Sequence, residues 1–484
     1  MTAAWVRDAT KVTAAPSNRN RADRIANLLL VSGAAASFAV AWLLWIRLQG
    51  SSWSATTILP VGVPTLLGIG LLAAVRLDLI RKLGLLAVLV AVTLSVYAME
   101  AVVSVLPLPT RLEIHQAAAE RSGREFDDRP PTQVIRELRA RGDTVFPVVY
   151  GWIGLSLQAA RSDARGGFIL LAPGISNVLT LFCNEVGTFV SYRSDEHGFR
   201  NPSGLWRGPI DVAVVGDSFA HGMCVPSDST IDGHLRKTIA STLNLGLSGT
   251  GPLAQLAVMR EYLPAVRPSV VLWLYYEDND LIDAYDEIQR PELTAYLSQG
   301  YRQNLMERQH EVDLRVSKII EEELAGAKSS PVPTTRKLRF TSSASEIIRL
   351  TNLRSRLGIL SFPPPLDRIE LYRRIVEEAL ITVHSLGGHL WVVYLPAYRR
   401  FARGTDAGDE LLRRGRVLDL LAELGVPVID VSALFRRFPN PQIFWYNPAS
   451  HYTSEANERI AHAIRDTIAA ASQLRNRDHA RMQK

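Results

Sequence analysis

Asp211-Val-Ala-Val-Val-Gly-Asp-Ser-Phe219 is the stretch on which the reading of the fold turns. Val212 to Val215 form an unbroken apolar run rich in β-branched residues, which suits a strand buried on both faces of a parallel sheet. Gly216-Asp217-Ser218 then breaks the run into a turn. In an open α/β sheet ligands bind outside the carboxyl ends of the strands, so a serine on that turn sits where chemistry is done. Working outward, Leu243–Leu245, Val270–Tyr275, Leu390–Tyr394 and Val426–Asp430 read as further strands separated by amphipathic helical stretches. That alternation predicts a parallel sheet covered by helices on both faces, a three-layer α/β/α domain.

The domain is expected to occupy residues 210–475, with a helical insertion at about 286–365. The insertion carries a charged helical stretch, Asn304 to Leu324, and then the breaker run Ser329 to Thr334. The helix after Thr453 places Ala456, Ile460, Ile464 and Ile468 on one stripe, the face that should pack on the sheet. Residues 111–209 are polar and mixed, broken at Arg129-Pro130-Pro131 and Gly166-Gly167, and read as an accessory lead-in. The basic tail from Arg475 reads as frayed surface.

Residues 1–110 read as a membrane region. Three apolar stretches, roughly Ile25 to Ile46, Ile58 to Val75 and Leu83 to Leu106, each approach the ~20 residues needed to cross a bilayer. The first is too long for a signal-peptide core and ends in Trp42, Trp45 and Arg47 rather than a cleavage site. Lys11, Arg19, Arg21 and Arg24 precede it, and Arg76, Arg81 and Lys82 lie between the second and third. The positive-inside rule makes both of those segments cytoplasmic, so three transmembrane helices would put the remainder outside. Glu100 is expected at the outer interface as an ordinary interfacial carboxylate.

The 484 residues are 47% hydrophobic and carry a net charge of +6, which excludes a disordered or fibrous chain. Residues 1–110 account for +5 of that charge, and the rest of the chain for +1. A nucleic-acid binder would show a basic stripe on its folded domain, and none is visible. Two cysteines, Cys183 and Cys224, are too few for a metal cage or a disulfide-rich scaffold. On an exported domain they would lie in an oxidising compartment, where their pairing is expected. Two separate buried thiols are the alternative.

Three further blocks follow Gly216-Asp217-Ser218 in chain order: Asn244-Leu-Gly-Leu-Ser-Gly249 after the second strand, Tyr276-Glu-Asp-Asn-Asp280 after the third, and His451 before the last helix. Together they resemble the SGNH, or GDSL-like, hydrolase superfamily, whose marker residues fall here on Ser218, Gly249, Asn279 and His451. The stretches Phe182-Cys-Asn-Glu185, Tyr192-Arg-Ser-Asp-Glu-His-Gly-Phe-Arg-Asn-Pro202 and Cys224-Val225 are similar to a membrane-anchored bacterial envelope group of that superfamily. The resemblance implies a serine esterase. Ser218 attacks once His451 accepts its proton, and the backbone N–H groups of Ser218 and Gly249 with the Asn279 amide hold the oxyanion. No cofactor or metal is implied.

Two positions depart from the superfamily pattern. The Asp usual three residues before the histidine is Pro448, with Ala449 next to it, so the orienting acid is not where expected. Asn447, a distant acid or a Ser-His dyad are the alternatives, and a dyad would be slow. The glycine usual before the third-block asparagine is Asp278. Asp217 is expected to hold the nucleophile turn, and His221 to be a turn or surface histidine. Trp445 and Tyr446 could wall a sugar site or pack beneath the last loop.

The expected function is a membrane-embedded esterase facing the periplasm or exterior, cleaving acetyl or short acyl groups from an acylated glycan or small ester. The alternatives are an O-acyltransferase using the same acyl-enzyme, and a catalytically weak glycan-binding protein working with polysaccharide-assembly proteins. No nucleic-acid partner is expected.

Overall fold

A computed structural model describes residues 16–48, 55–105, 110–149, 173–329, 347–348, 350–356, 366–402 and 413–482. The breakers Gly166-Gly167 and residues 330–334 of the second breaker run lie outside the described residues, as does much of the expected insertion beyond them. The chain forms two compact units, Met1–Leu108 with Lys337–Pro363, and Pro109–Arg336 with Pro364–Lys484.

In the first unit, helices α1 (Pro16–Leu48), α2 (Ala55–Ala74) and α3 (Leu79–Val105) cover the three apolar stretches. Two of them, over Arg19–Ile46 and Leu79–Ser104, are long and apolar enough to cross a membrane. The expected second span falls short: its apolar run is Ile58–Ala74, with Pro60 and Pro64 inside the helix. Seventeen residues rise only about 26 Å, against a hydrocarbon core of about 30 Å. Lys82, at the start of α3, pairs with Asp23, near the start of α1, at 2.8 Å. Both long helices therefore begin at one end of the unit, and α2 carries the chain back between them. Glu100 is not an ordinary interfacial carboxylate. It is fully buried and accepts hydrogen bonds from Asn352 N, Asn352 Nδ2 and Leu353 N at 3.0, 2.9 and 2.7 Å, which docks part of the expected insertion on α3.

The second unit holds two sheets. β1 (Val145–Pro147), β2 (Leu179–Cys183) and β3 (Val190–Arg193) form the smaller, from the lead-in. β4 (Val212–Gly216), β5 (Thr242–Asn244), β6 (Val270–Tyr276), β7 (His389–Leu395) and β8 (Val428–Asp430) form the larger, entirely parallel, in the order β5-β4-β6-β7-β8. Counting from β4 as first, this is the doubly wound order 2-1-3-4-5, whose crevice opens where β4 has neighbours on both sides. Period-two alternation explains the three layers. Ala213, Val215, Val271, Trp273 and Tyr275 face the core under helices Pro252–Val266 and Leu366–Ser385, while Val212, Val214, Leu272 and Leu274 face the one under Ser454–Met482. The predicted stripe Ala456, Ile460, Ile464 lies in that second core.

Neither the lead-in nor the first part of the insertion stands apart. Val134, Val145, Leu181 and Phe199, like Leu305, Val312 and Ile320, belong to the same core as β4 and β6. Cys183 and Cys224 are joined by a disulfide, with Cα atoms 5.5 Å apart.

Candidate active site

The nucleophile turn is shaped by close approach. Leu274 O and Ala220 Cβ lie 2.9 Å from where a Cβ on Gly216 would stand, so a side chain there would collide with β6 or the following helix. Asp217 caps the four-residue helix Ser218–His221, its carboxylate accepting from Phe219 N at 2.9 Å, which is the holding role expected of it. Asp217, Phe219, Ala220 and His221 are buried, and Ser218 alone remains partly exposed. The hydroxyl is thereby fixed and presented to the crevice.

His451 stands against it. Its Nε2 is 2.7 Å from Ser218 Oγ, and its Nδ1 is 2.8 Å from Glu185 Oε1. The other oxygen of Glu185 accepts from the His451 main-chain N–H at 2.9 Å. The acid missing from position 448 is thus supplied by Glu185, on the turn leaving β2, and the site is a Ser–His–Glu line rather than a dyad. Burial alone would depress the imidazole, but the Glu185 carboxylate outweighs it and holds His451 above its ordinary pKa. Burial likewise pushes Glu185 up, and the His451 charge with its two hydrogen bonds brings it below the usual range. The two shifts describe one ion pair, formed when the base takes a proton.

Asn447 does not orient His451. Its amide nitrogen lies 3.0 Å from His115 Nδ1, and its oxygen accepts from Ala449 N at 2.9 Å. Pro448 is exposed, so the loop has turned its usual acid position to solvent.

The residues expected to hold the oxyanion with Ser218 lie just after β5 and β6. Leu247 N donates to Gly216 O at 2.9 Å, laying the loop after β5 along the nucleophile turn. Two residues on, Gly249 is exposed with φ +76°, a backbone conformation glycine adopts without strain. Asn279 stands at the start of helix Asp280–Glu287 without a side-chain capping bond; its amide donates to Asp283 Oδ2 at 2.8 Å and lies beside the Asp217 carboxyl, favouring the ionised form of Asp217. Burial nonetheless raises Asp217 to about 6, and burial with the Asp217 charge raises Asp283 to about 7. Asp278 pairs with Arg399, which neutralises the extra carboxylate that replaces glycine.

His221 is not a surface residue. It is 2% exposed, with Nε2 2.9 Å from Tyr192 OH and Nδ1 3.0 Å from Ser248 Oγ. Ser248 N also donates to Nδ1 at 3.3 Å, so the ring is neutral with its hydrogen on Nε2. Burial and the Arg200 charge push its pKa down to about 3. Arg200, from the quoted Tyr192–Pro202 stretch, donates to Gly222 O and Val225 O at 2.6 and 2.7 Å and clamps the chain leaving the nucleophile helix. Trp445 packs against Tyr398, Phe435 and Tyr452 at 4% exposure, so it lies beneath the last loop and walls no site.

Neither a family model nor a curated protein matches the sequence. Solved structures align with it loosely. A putative lipolytic protein of the G-D-S-L family from Desulfitobacterium hafniense is 11% identical, with a TM-score of 0.29 over 52% of this chain and 97% of its own. A member of the lipolytic protein G-D-S-L family from Veillonella parvula gives 11%, 0.28, 53% and 97% in the same order. A lipase/acylhydrolase from Enterococcus faecalis gives 14%, 0.30, 54% and 96%. At such identities and scores the likeness carries no argument about activity, which rests on the geometry of Ser218, His451 and Glu185.

Proposed function

We propose that this chain is a membrane-anchored serine esterase of the SGNH/GDSL type, acting outside the cytoplasm on acetyl or other short acyl esters of a cell-envelope glycan or similar substrate. The observation that carries the reading is the continuous line Glu185–His451–Ser218. Ser218 Oγ attacks the ester carbonyl as its proton passes to His451 Nε2, and Glu185 stabilises the imidazolium formed. The oxyanion is held by the Ser218 and Gly249 N–H groups and the Asn279 amide. Collapse expels the alcohol, which takes the proton from His451 and leaves an acyl-Ser218. Water, deprotonated by the same imidazole, then releases the acid. A sugar hydroxyl in place of water would make the same acyl-enzyme a transferase. The weak, binding-only reading rested on the missing acid and loses that support with Glu185 in place.

The placement outside is supported by the disulfide, a bond that forms and persists in oxidising compartments. A serine-directed fluorophosphonate, followed by peptide mass spectrometry, tests the chemistry. Labelling at Ser218 that disappears in His451→Ala is expected, and an unlabelled wild type would sink the reading. Turnover of acetylated glycans with and without added acceptor sugar separates hydrolysis from transfer.

A further inference from the structure

The three members of the proposed triad do not come from one sheet. Ser218 follows β4 and His451 precedes the last helix of the large sheet, whereas Glu185 stands on the turn after β2, in the small sheet of the lead-in. An acid borrowed from a second sheet must be held in register with a nucleophile on the first. The disulfide lies on that seam. Cys183 ends β2 two residues before Glu185, and Cys224 lies six residues after Ser218 on the chain leaving the nucleophile helix.

We propose that the Cys183–Cys224 disulfide is a positioning clasp for Glu185: it closes a ring running from Ser218 through Cys224, Cys183, Glu185 and His451 back to Ser218. The inference rests on the reading of Ser218, His451 and Glu185 as a catalytic line. Both ends of the clasp are themselves held. On one side Asn184 donates to Asp127 O and accepts from Gly187 N, both at 2.8 Å, which sets the shape of the turn that carries Glu185. On the other, Arg200 clamps Gly222 O and Val225 O around Cys224, which adopts φ +60°. Both cysteines are 1% exposed, within a small core of their own with Val148, Phe182 and Tyr192. The Phe182 ring lies 4.4 Å from that of His221, so packing assists the bond on the same seam.

Without the bond the end of β2 loses its covalent tie to the chain leaving the nucleophile helix and is held on that seam by hydrogen bonds and packing alone. A misplacement of about 1 Å in such a constellation costs on the order of 10²-fold in rate. Because Glu185 also holds the imidazole in its protonated form, its retreat moves the acid limb of the pH–rate profile to lower pH. Loss of general stability alone would not move that limb.

The test uses the full chain in detergent, comparing wild type, Cys183→Ala/Cys224→Ala, Glu185→Gln and the combination of all three changes. The cysteine variant is expected to lose about 10- to 10²-fold in kcat with KM little changed. Its acid limb should move down, and it should add nothing to the Glu185→Gln defect, since both act through one carboxylate. Cys183→Val/Cys224→Ala fills the same core differently and guards against a packing artefact. A folded cysteine variant with wild-type turnover and an unmoved limb would overturn the proposal, as would a loss additive with Glu185→Gln. Failure of both cysteine variants to fold would also overturn it, because the bond would then serve the fold rather than the acid. Absence of fluorophosphonate labelling at Ser218 in wild type would instead sink the triad itself.

Discussion

Replacing Glu185 by glutamine is the sharpest perturbation the site offers. The carboxylate makes two bonds to one residue, to Nδ1 at 2.8 Å and to the main-chain N–H at 2.9 Å, so it sets both the tautomer and the tilt of the His451 ring. It also faces the positive charge that appears when Ser218 gives up its proton. With charge centres about 4 Å apart and an effective dielectric near 20, that attraction is about 4 kcal/mol. Such an amount corresponds to about 10³ in rate. An amide can also donate to Nδ1, which would leave the hydrogen on Nε2 and point the wrong nitrogen at Ser218. In the serine-protease triad the corresponding amide substitution costs about 10⁴ in turnover. Glu185→Gln should therefore lower kcat/KM for p-nitrophenyl acetate by about 10³ to 10⁴. Its acid limb should also fall. Wild type needs the neutral imidazole, and Glu185 holds His451 above its ordinary value, so activity rises with pH through that raised value. Without the carboxylate the limb moves down while the plateau collapses. A pH series from acid to neutral, on protein whose fold is checked by circular dichroism, reads both. A variant with wild-type turnover and an unmoved limb would refute the assignment of Glu185.

Ser218→Ala and His451→Ala should each abolish hydrolysis, and the double variant should be no worse than either, because nucleophile and base act as one unit; additive losses measured by kcat would contradict this. Pro448→Asp should not raise kcat, since Nδ1 of His451 is already taken by Glu185 and residue 448 faces solvent; a clear gain would show the acid site to be vacant. His221 is held neutral, with its pKa near 3, while the unfolded chain protonates it below its ordinary value of 6.5. Its contribution to stability is therefore complete above pH 6.5 and is lost as pH falls toward 3, amounting to about 2 kcal/mol between pH 7.5 and 5. Urea unfolding at those two pH values should show that much less pH dependence in His221→Gln than in wild type, and equal dependence would count against the buried neutral ring.

How much of this was legible in the chain itself depends on whether the signal was local. Val212 to Val215 followed by Gly216-Asp217-Ser218 specifies a buried strand ending in a presented serine, because strand propensity and turn chemistry act over a few neighbouring residues. The repeated alternation of apolar runs and helical stretches likewise implied the parallel sheet, and the stripe Ala456, Ile460, Ile464 its covering helix. The histidine could be found too, since it stands just before that helix.

The partner of His451 could not be found that way. Glu185 lay inside a quoted motif, two residues after Cys183, yet nothing local marks one carboxylate among 48 Asp and Glu residues as the one that meets an imidazole 266 residues later. Long-range pairing is decided by how the small sheet packs on the large one, and no periodicity encodes that. The same packing set Phe182 and Tyr192 of the small sheet against His221 and made it a buried neutral ring, whereas Trp445 is covered by Tyr398, Phe435 and Tyr452 within the second core of the large sheet. For α2, the apolar stretch was already the shortest of the three in the sequence, and the folded chain adds only where its helix ends, at Ala74. Local chemistry, in short stretches, placed the nucleophile and its base; the acid, and the disulfide that we infer keeps it in register, follow from the way two separate sheets meet.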